Sequence, residues 1–420
     1  MCGIAGFAGH VADSRQELEA RVRTMGDTLR HRGPDGGGAW AEPSVGLAFA
    51  HRRLAILDPS PAGAQPMISA SERYCVTYNG ELYNFAELRR ELAAAGHAFH
   101  GTGDTEVLLA GVEAWGVAGA LERFVGMFAF ALYDATERCL HLVRDRAGEK
   151  PLSFGVHNGV LLFGSELHAL RAHPAFDPAL DRDAVAGFLA TGNVAAPRTI
   201  HRAIAKLPPG GHLEVPLERP LPATATLLHG VRRYWDAAKI AAASQGQGDR
   251  TPFDTVERAL THAVRQALVS DVPLGAFLSG GLDSSTVVAI MQMLSDRPVK
   301  TFTIGFKDNV HDEAKHARAV ARQLGTEHTE ITLTGADARA VVPDLPCIYD
   351  EPFADASQIP TSLISRLARR DVTVALTGDG GDELFCGYTR HRIAGGPLRR
   401  ALQWPRPLRA SAAAMLRALS

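Results

Sequence analysis

Beyond residue 251 the chain alternates between two apolar periods. Residues 253–269 place Val256, Leu260, Val264 and Leu268 at helical spacing. The short apolar run 272–276 predicts a buried strand, and 286–291 a packed helix. Residues 300–306, 329–333 and 371–376 predict further strands, with a helix over 313–324 between the first two. Such alternation predicts an α/β unit, a parallel sheet with helices on both faces. The first half reads differently. Residues 2–7 form a strand entered directly from the terminus, and 51–57 a strand with arginines at its start. Asn79-Gly80 reads as a turn between an apolar strand and a helix, and 101–106 opens another helix. Residues 124–134 and 140–145 read as paired strands, and 165–170 begins a helix. Residues 216–250 are richer in Pro, Ala, Gly and Gln, so the boundary is expected there: 1–210, a connection over 211–250, and 251–420.

Composition narrows the class. A chain of 420 residues suggests two to three domains. With 46% hydrophobic and 21% charged residues it has ample material for packed cores. A formal charge of −2 gives no electrostatic case for nucleic acid or an anionic membrane. No apolar run is long enough to span a bilayer, and the N-terminus lacks the basic-then-apolar pattern of a signal peptide. Five cysteines lie far apart with no C-x-x-C pair. They argue against zinc and disulfide frameworks and fit a reducing cytoplasm.

Two stretches carry chemistry. In 277–285, Phe-Leu-Ser-Gly-Gly-Leu-Asp-Ser-Ser lies between a strand and a helix. Adjacent glycines let backbone approach a ligand, and hydroxyls with free N–H groups at a helix start form an anion site. Asp283 among phosphate-binding donors makes sense if a divalent metal rides on the phosphates. No lysine follows the glycines, so this is not the G-x-x-x-x-G-K-[ST] loop. It matches the S-G-G-x-D-S loop of ATP-pyrophosphatases; the bland alternative is a ligand-free glycine-rich turn. Cys2 is the second feature. Removal of Met1 would leave its α-amino group as base for its own thiol. Taken alone, an incidental cysteine near an end is the simpler reading.

Cys2 is not alone. With the runs 31–37, 51–57, 78–84, 101–106 and 124–145, the first 170 residues resemble the class II glutamine amidotransferase domain. That resemblance implies an Ntn-hydrolase αββα sandwich. Joined to the 277–285 loop, the chain resembles the glutamine-hydrolysing asparagine synthetase family from Cys2 to about Tyr388, and the second unit is then expected to be a doubly wound parallel-sheet ATP-pyrophosphatase domain.

The resemblance implies roles residue by residue. Cys2 attacks the glutamine amide, with Asn79 and the Gly80 N–H as oxyanion donors. Arg53 grips the glutamine α-carboxylate, Leu54, Ala55, Ile56 and Leu57 line the same site, and Asp104 and Glu81 take the α-ammonium. Arg52, out of phase with Arg53, reads as a surface charge. Residues 31–37 correspond to a flap over glutamine or, equally, a rigid turn. The turn 144–152 reads as structural, although Ser153-Phe154 stands where two tyrosines are common. Phe277, Ser279, Gly280, Gly281, Asp283, Ser284, Ile304, Thr377 and Gly378 are the implied ATP-binding positions. Asp283 and Asp382 are implied for Mg²⁺, and Asp379 for a catalytic role beside the adenylate; the acidic run 379–383 otherwise reads as a solvated turn. Residues 350–355 and 358–361 resemble the acceptor region. Segments 196–200 and 206–210 read as loops. Cys386 replaces a usual glycine and is expected to crowd its loop.

The implied reaction is ATP-dependent asparagine synthesis from aspartate with ammonia from glutamine, through β-aspartyl-AMP, releasing AMP and pyrophosphate. Implied partners are glutamine, aspartate and ATP, with no nucleic acid or membrane, and a homodimer as a candidate assembly. Family members continue well past residue 420 with further helices. The expectations are therefore a truncated gene, completion by a second chain, or lost synthetase activity. Two other readings stand: amidation of another carboxylate, on a sugar or peptide, and a glutaminase whose second domain only binds nucleotide.

Overall fold

The computed structural model describes residues 1–9, 13–217, 220–243, 253–307 and 313–418. These form two compact units, Met1–Pro273 with Ala338–Ser362, and Leu274–Asp337 with Leu363–Ser420.

The first unit is built on two six-stranded antiparallel sheets. Its strands are β1 (Gly3–Ala8), β2 (Gly36–Glu42), β3 (Leu47–Arg53), β4 (Met67–Ile68), β5 (Tyr74–Leu82), β6 (Gly126–Asp134), β7 (Cys139–Arg144), β8 (Ser153–His157), β9 (Val160–Gly164), β10 (Ile204–Lys206), β11 (Gly211–Pro216) and β12 (Arg232–Arg233). One sheet runs β10-β8-β9-β1-β3-β2 and the other β12-β11-β7-β6-β5-β4. Period-two alternation divides each strand between two cores. In β1, Ile4 and Ala8 join the core between the sheets, whereas Ala5 and Phe7 meet Leu18, Val22 and Met25 of α1 (Arg15–Asp27). In β5, Tyr74, Val76, Tyr78 and Leu82 pack against α2 (Phe85–Ala94) and α3 (Thr105–Arg123). The result is the αββα sandwich. Ser14 and Glu17 close a capping box on α1, holding the helix start that covers β1.

β5 also explains where the site lies. Its inward positions run Cys75, Thr77, Asn79, Glu81, apolar at one end and increasingly polar at the other. All four are buried, so the polar end needs partners or a ligand. Two local expectations are corrected here. Asn79-Gly80 is no turn but the interior of β5, paired with Ala129 and Phe128 of β6. A Cβ on Gly80 would stand 2.3 Å from the Met127 carbonyl oxygen, so glycine serves close strand packing. The arginines of 51–57 end β3 rather than start a strand.

The second unit holds a parallel sheet, β15-β14-β13-β16, of β13 (Leu274–Phe277), β14 (Lys300–Phe306), β15 (Glu327–Leu333) and β16 (Val374–Leu376). Helices Leu282–Leu294 and Glu313–Leu324 make its crossovers. Strand order reverses between β13 and β16, and the carboxyl ends of strands at such a reversal form a ligand crevice. Phe302, Leu367, Ala368 and Val372 make a small core, with Phe277 and Ile304 partly exposed against it. Among the described residues, no helix is long and apolar enough to cross a membrane.

Candidate active sites

Cys2 stands just before β1, beside the polar end of β5. Its Sγ accepts from the Leu54 N–H at 3.4 Å and lies 3.6 Å from the Leu54 carbonyl oxygen. The pocket around it is lined by Cys2, Arg53, Leu54, Ile56, Leu57, Asn79, Gly80, Glu81 and Asp104 among others; Ala55 is not on this lining. Eight of the nine residues expected at the glutamine site thus converge, from the end of β3 and the segment after it, from β5 and from the start of α3.

Asn79 is the anomaly of the pocket. It is fully buried, yet neither its Nδ2 nor its Oδ1 has a partner. The Gly80 N–H is aimed by strand geometry. Phe128 spends its own N–H and carbonyl on Asp145, so its pairing with Gly80 is of the non-hydrogen-bonded kind. Gly80 therefore turns its backbone away from β6. The flanking residues confirm the direction, for the Tyr78 N–H donates to Gln65 Oε1 at 2.7 Å and the Leu82 N–H to Asp104 Oδ2 at 2.9 Å. Between these two satisfied donors the Gly80 N–H faces the pocket.

The charges are unevenly satisfied. Asp104 accepts from both the Tyr78 hydroxyl at 2.7 Å and the Leu82 N–H, and burial raises its pKa. Arg53 is anchored by backbone: it donates to Ser60 O at 2.8 Å, to Leu57 O at 3.4 Å and to Asp58 O. Glu81 has a buried Oε1 without partner. Burial, then Asp104, pushes its carboxyl up to about 7 against the pull of Lys150. Burial also raises the Cys2 thiol and lowers the Met1 amino group to about 6. That amine belongs to Met1; the amine expected to act as base is that of Cys2 itself, exposed once Met1 is removed.

The Glu81 shift has a consequence for stability. An ordinary glutamate titrates near 4.5, so between 4.5 and about 7 the folded chain holds a proton the unfolded chain has lost. Stability from this proton is full below pH 4.5 and is lost as pH rises through about 7. Urea denaturation at about pH 5 and about pH 8 should show wild type losing stability relative to Glu81→Gln as pH rises. A pH-independent offset between the two would contradict it.

Several contributors carry no signal in the sequence reading. Lys150, in the turn read as structural, lines the pocket and is 4% exposed. Its Nζ sits 3.0 Å from Met1 Sδ and 2.8 Å from Met127 Sδ, and burial lowers its pKa. Asp145 accepts the N–H groups of Phe128, Glu149 and Lys150, which fixes the turn that delivers this amine. Buried His51 donates Nε2–H to Tyr78 O at 3.1 Å, tying the two sheets beside Asn79. Phe154 fills the inter-sheet core.

The 31–37 loop is held on both sides. Arg32 donates to the Cys2 carbonyl at 2.9 Å and to Glu166 at 2.7 Å. The Asp35 N–H donates to Arg53 O at 2.9 Å, and its carboxylate accepts from the Ala55 N–H at 2.9 Å. Arg52 is not a free surface charge; it pairs with Asp27 and donates to Gly26 O at 3.3 Å. Asp350 and Glu351, in the stretch that resembles the acceptor region, bond within the first unit. Asp350 accepts the N–H groups of Leu167 and His168 at the start of α4 (Leu167–Arg171), and Glu351 pairs with Lys206 at 2.5 Å.

In the second unit, the 277–285 stretch leaves β13 and enters the helix Leu282–Leu294, whose start has no side-chain cap. Ser279 Oγ and Ser284 Oγ are 2.9 Å apart, and the Gly281 N–H donates to Ser279 Oγ at 3.2 Å. Gly280 has φ +79°, and a Cβ there would lie 2.5 Å from the Ala317 nitrogen. At Gly281 a Cβ would meet only Ser279 Oγ, at 3.3 Å, so this side of the loop is open. The end of β16 closes on the same place. A Cβ on Gly378 would be 2.6 Å from the Ser284 nitrogen, and one on Gly381 would be 2.5 Å from the Asp283 carboxyl carbon. Asp283 therefore abuts the residue preceding Asp382. An open glycine cradle at a helix start, beside carboxylates, fits a phosphate chain with a hard divalent cation. Asp379 is an exposed-turn neighbour whose N–H donates to Thr377 Oγ1 at 3.2 Å. Exposed Glu383 accepts from the Tyr388 hydroxyl at 2.6 Å. Cys386 caps the helix Gly381–Phe385 with φ +59°, the left-handed conformation that favours glycine, and its side chain is exposed.

Residues 1–221 match the glutamine amidotransferase domain family, and residues 255–419 the asparagine synthase family. A Mycobacterium bovis protein provisionally named a glutamine-hydrolysing asparagine synthetase is 34% identical over 426 residues, 98% of this chain and 64% of its own. Glutamine-hydrolysing asparagine synthetase 1 of Bacillus subtilis is 33% identical over 401 residues, 93% of this chain and 60% of its own. A Methanocaldococcus jannaschii protein provisionally given the same enzyme name is 33% identical over 414 residues, 93% of this chain and 76% of its own. The chain spans just under two thirds of the length of the first of these relatives. The sandwich and the first match define the class, a glutamine amidotransferase domain. The second unit then decides the family: the chain belongs to the glutamine-hydrolysing asparagine synthetases.

Proposed function

We propose that this chain hydrolyses glutamine at Cys2 and uses the ammonia, with ATP, to convert aspartate to asparagine. The observation that carries the first half is the orphaned Asn79 amide beside a pocket-facing Gly80 N–H. Two such donors suit the oxyanion formed when a thiolate adds to an amide carbonyl. Cys2 Sγ forms the bond to carbon as its proton passes to the α-amino group freed by removal of Met1. Collapse of the adduct expels ammonia and leaves a thioester, which water hydrolyses to glutamate. Arg53 orients the glutamine α-carboxylate, and Asp104 with Glu81 orients its ammonium.

In the second unit, Ser279, Gly280, Gly281 and Ser284 would cradle the phosphates, with Phe277, Ile304, Thr377 and Gly378 around the adenosine. Asp283 and Asp382 would hold Mg²⁺, which when bound neutralises charge on the departing pyrophosphate. Aspartate is carried through β-aspartyl-AMP to asparagine, AMP and pyrophosphate, with Asp379 positioned for the proton of incoming ammonia.

The test is an assay of the purified chain with glutamine, ATP–Mg²⁺ and aspartate. Matched formation of glutamate, asparagine, AMP and pyrophosphate is expected. Glutamate without AMP or pyrophosphate would sink the synthetase half, and nucleotide turnover only with another carboxylate would replace aspartate as acceptor. Asn79→Ala should lower kcat for glutamine by about 10²–10³ with little change in KM. A drop confined to KM would remove Asn79 from the oxyanion role.

A further inference from the structure

We propose that His141, His212 and Glu214 form a binding site for a divalent transition ion of the zinc class, on the outer face of the second sheet. Neither the glutaminase pocket nor the nucleotide crevice uses these residues, and the proposal is independent of the reaction assigned above.

The site follows from strand register. Glu214 of β11 is the direct cross-strand partner of His141 of β7, and His212 lies two residues along β11 on the same face. Leu213 and Val215, between and beyond them, point to the inter-sheet core, which fixes the other three outward. Two imidazoles and one carboxylate therefore project from adjacent strands at a spacing set by backbone hydrogen bonds. Both histidines are nevertheless buried, at 8% and 5% exposure, while Glu214 stays in contact with solvent. Trp115, Gly116 and Val117, at the kink of α3, line the groove beside His141 and Glu214.

The donor atoms are close to ligating distances. His141 Nδ1 and His212 Nε2 are 3.0 Å apart, and His212 Nε2 is 3.8 Å from Glu214 Oε1. Tetrahedral ligands about 2.0–2.1 Å from zinc stand about 3.3–3.4 Å from each other. The imidazoles need to part, and the carboxylate to approach His212, by a few tenths of an ångström, and all three donor atoms already lie within 4.8 Å of one another. A second helpful property is protonation. Burial lowers the pKa of both histidines, so both are neutral at pH 7, as ligands must be. One of the facing nitrogens now donates to the other. For both to present lone pairs, the donor must move its proton to its outer ring nitrogen. The competing cation is Arg232, 3.9 Å from Glu214, and its side chain is largely exposed and free to swing away.

The other His-carboxylate group, Glu166, His168 and Asp350, does not share this character. Its carboxylates are already occupied by Arg32, His31, His168 and two backbone N–H groups. In the His141 group, among the described residues, the short polar contact is the one between the two histidines themselves. Three protein ligands leave open positions facing the groove, to be filled by water.

The experiment uses the full chain carrying Cys347→Ser and Cys386→Ser, which removes the two exposed thiols. After EDTA treatment it is titrated with Zn²⁺ by calorimetry and with Co²⁺ by visible absorption. One Zn²⁺ per chain is expected, with ligand-field bands of a low-coordinate Co²⁺ site and a rise in thermal midpoint on Zn²⁺ addition. Loss of even an outer-shell partner typically costs about 10–100-fold in metal affinity. Glu214→Gln, on an accessible side chain, should therefore weaken binding at least about tenfold, and His212→Asn should abolish the Co²⁺ bands. No Zn²⁺ uptake by the parent chain, or equal uptake by Glu214→Gln, would overturn the proposal. If His212→Asn does not fold, the Glu214→Gln comparison alone decides.

Discussion

Cys2→Ala is expected to abolish glutamine-dependent activity while leaving ammonia-dependent asparagine formation intact. Removing the nucleophile of a covalent hydrolase costs on the order of 10⁶ in kcat, and a loss of at least about 10³ should be measurable here. The substitution is structurally mild. Among the described residues the thiol makes two weak contacts, both to the Leu54 backbone, and alanine keeps the carbonyl that accepts from Arg32. The sandwich should fold with an unchanged urea midpoint. Retained glutamine turnover would remove Cys2 from the reaction. Loss of ammonia-dependent activity as well, in a folded variant, would contradict two independent sites.

Gly280→Ala should have the converse effect. A side chain at φ +79° costs roughly 1–2 kcal/mol, and this Cβ would collide with the Ala317 nitrogen and His316 carbonyl carbon. The helix Glu313–Leu324 is backbone there and does not yield like a flexible side chain. The loop must move instead, and misplacement by about 1 Å typically costs about 10²-fold in rate. Nucleotide-dependent activity should fall by about that factor while glutaminase persists, since Cys2 lies in the other unit. Gly281→Ala supplies the contrast. Its φ of −70° is ordinary and only Ser279 Oγ stands nearby, so the protein itself tolerates the methyl. A loss of nucleotide activity there reports crowding of the ligand. If both variants remain fully active, this loop does not hold the phosphates.

Several features were legible without coordinates because their chemistry is local in the chain. The loop 277–285 carries its glycines, hydroxyls and aspartate on consecutive residues between a strand and a helix, and β13 and the helix Leu282–Leu294 hold it so. Regular alternation after residue 251 specified the parallel sheet for the same reason. The first half was harder. Asn-Gly is a strong turn signal, yet β5 runs straight through it, because Gly80 is needed for the approach of Met127 rather than for a bend. Tertiary packing overrode local propensity there.

Other features had no local signature at all. Lys150 reads as part of a charged turn until Asp145 folds that turn back and sets its amine between two sulfurs. Residues 350–355 only resemble the acceptor region in sequence, and nothing local shows that Asp350 and Glu351 bond to Leu167, His168 and Lys206, more than 140 residues away. Arg53 was legible as a guanidinium expected at the pocket, and it does line it. Its anchoring on Leu57, Asp58 and Ser60 carbonyls was not, because only the path of the chain beyond β3 brings those oxygens round.

The sequence by itself determined the reactive groups, Cys2 and the Ser279–Ser285 chemistry, and the pattern that builds two different sheets around them. Tertiary structure decided which polar side-chain groups lining the pocket are left unsatisfied, the Asn79 amide and one Glu81 oxygen, and turned the Gly80 N–H away from β6. The reason is that hydrogen-bond satisfaction is a property of neighbours in space. Asn79 is orphaned only because β5 buries it at the end of the sheets where Cys2 enters, and no residue beside it in the chain records that.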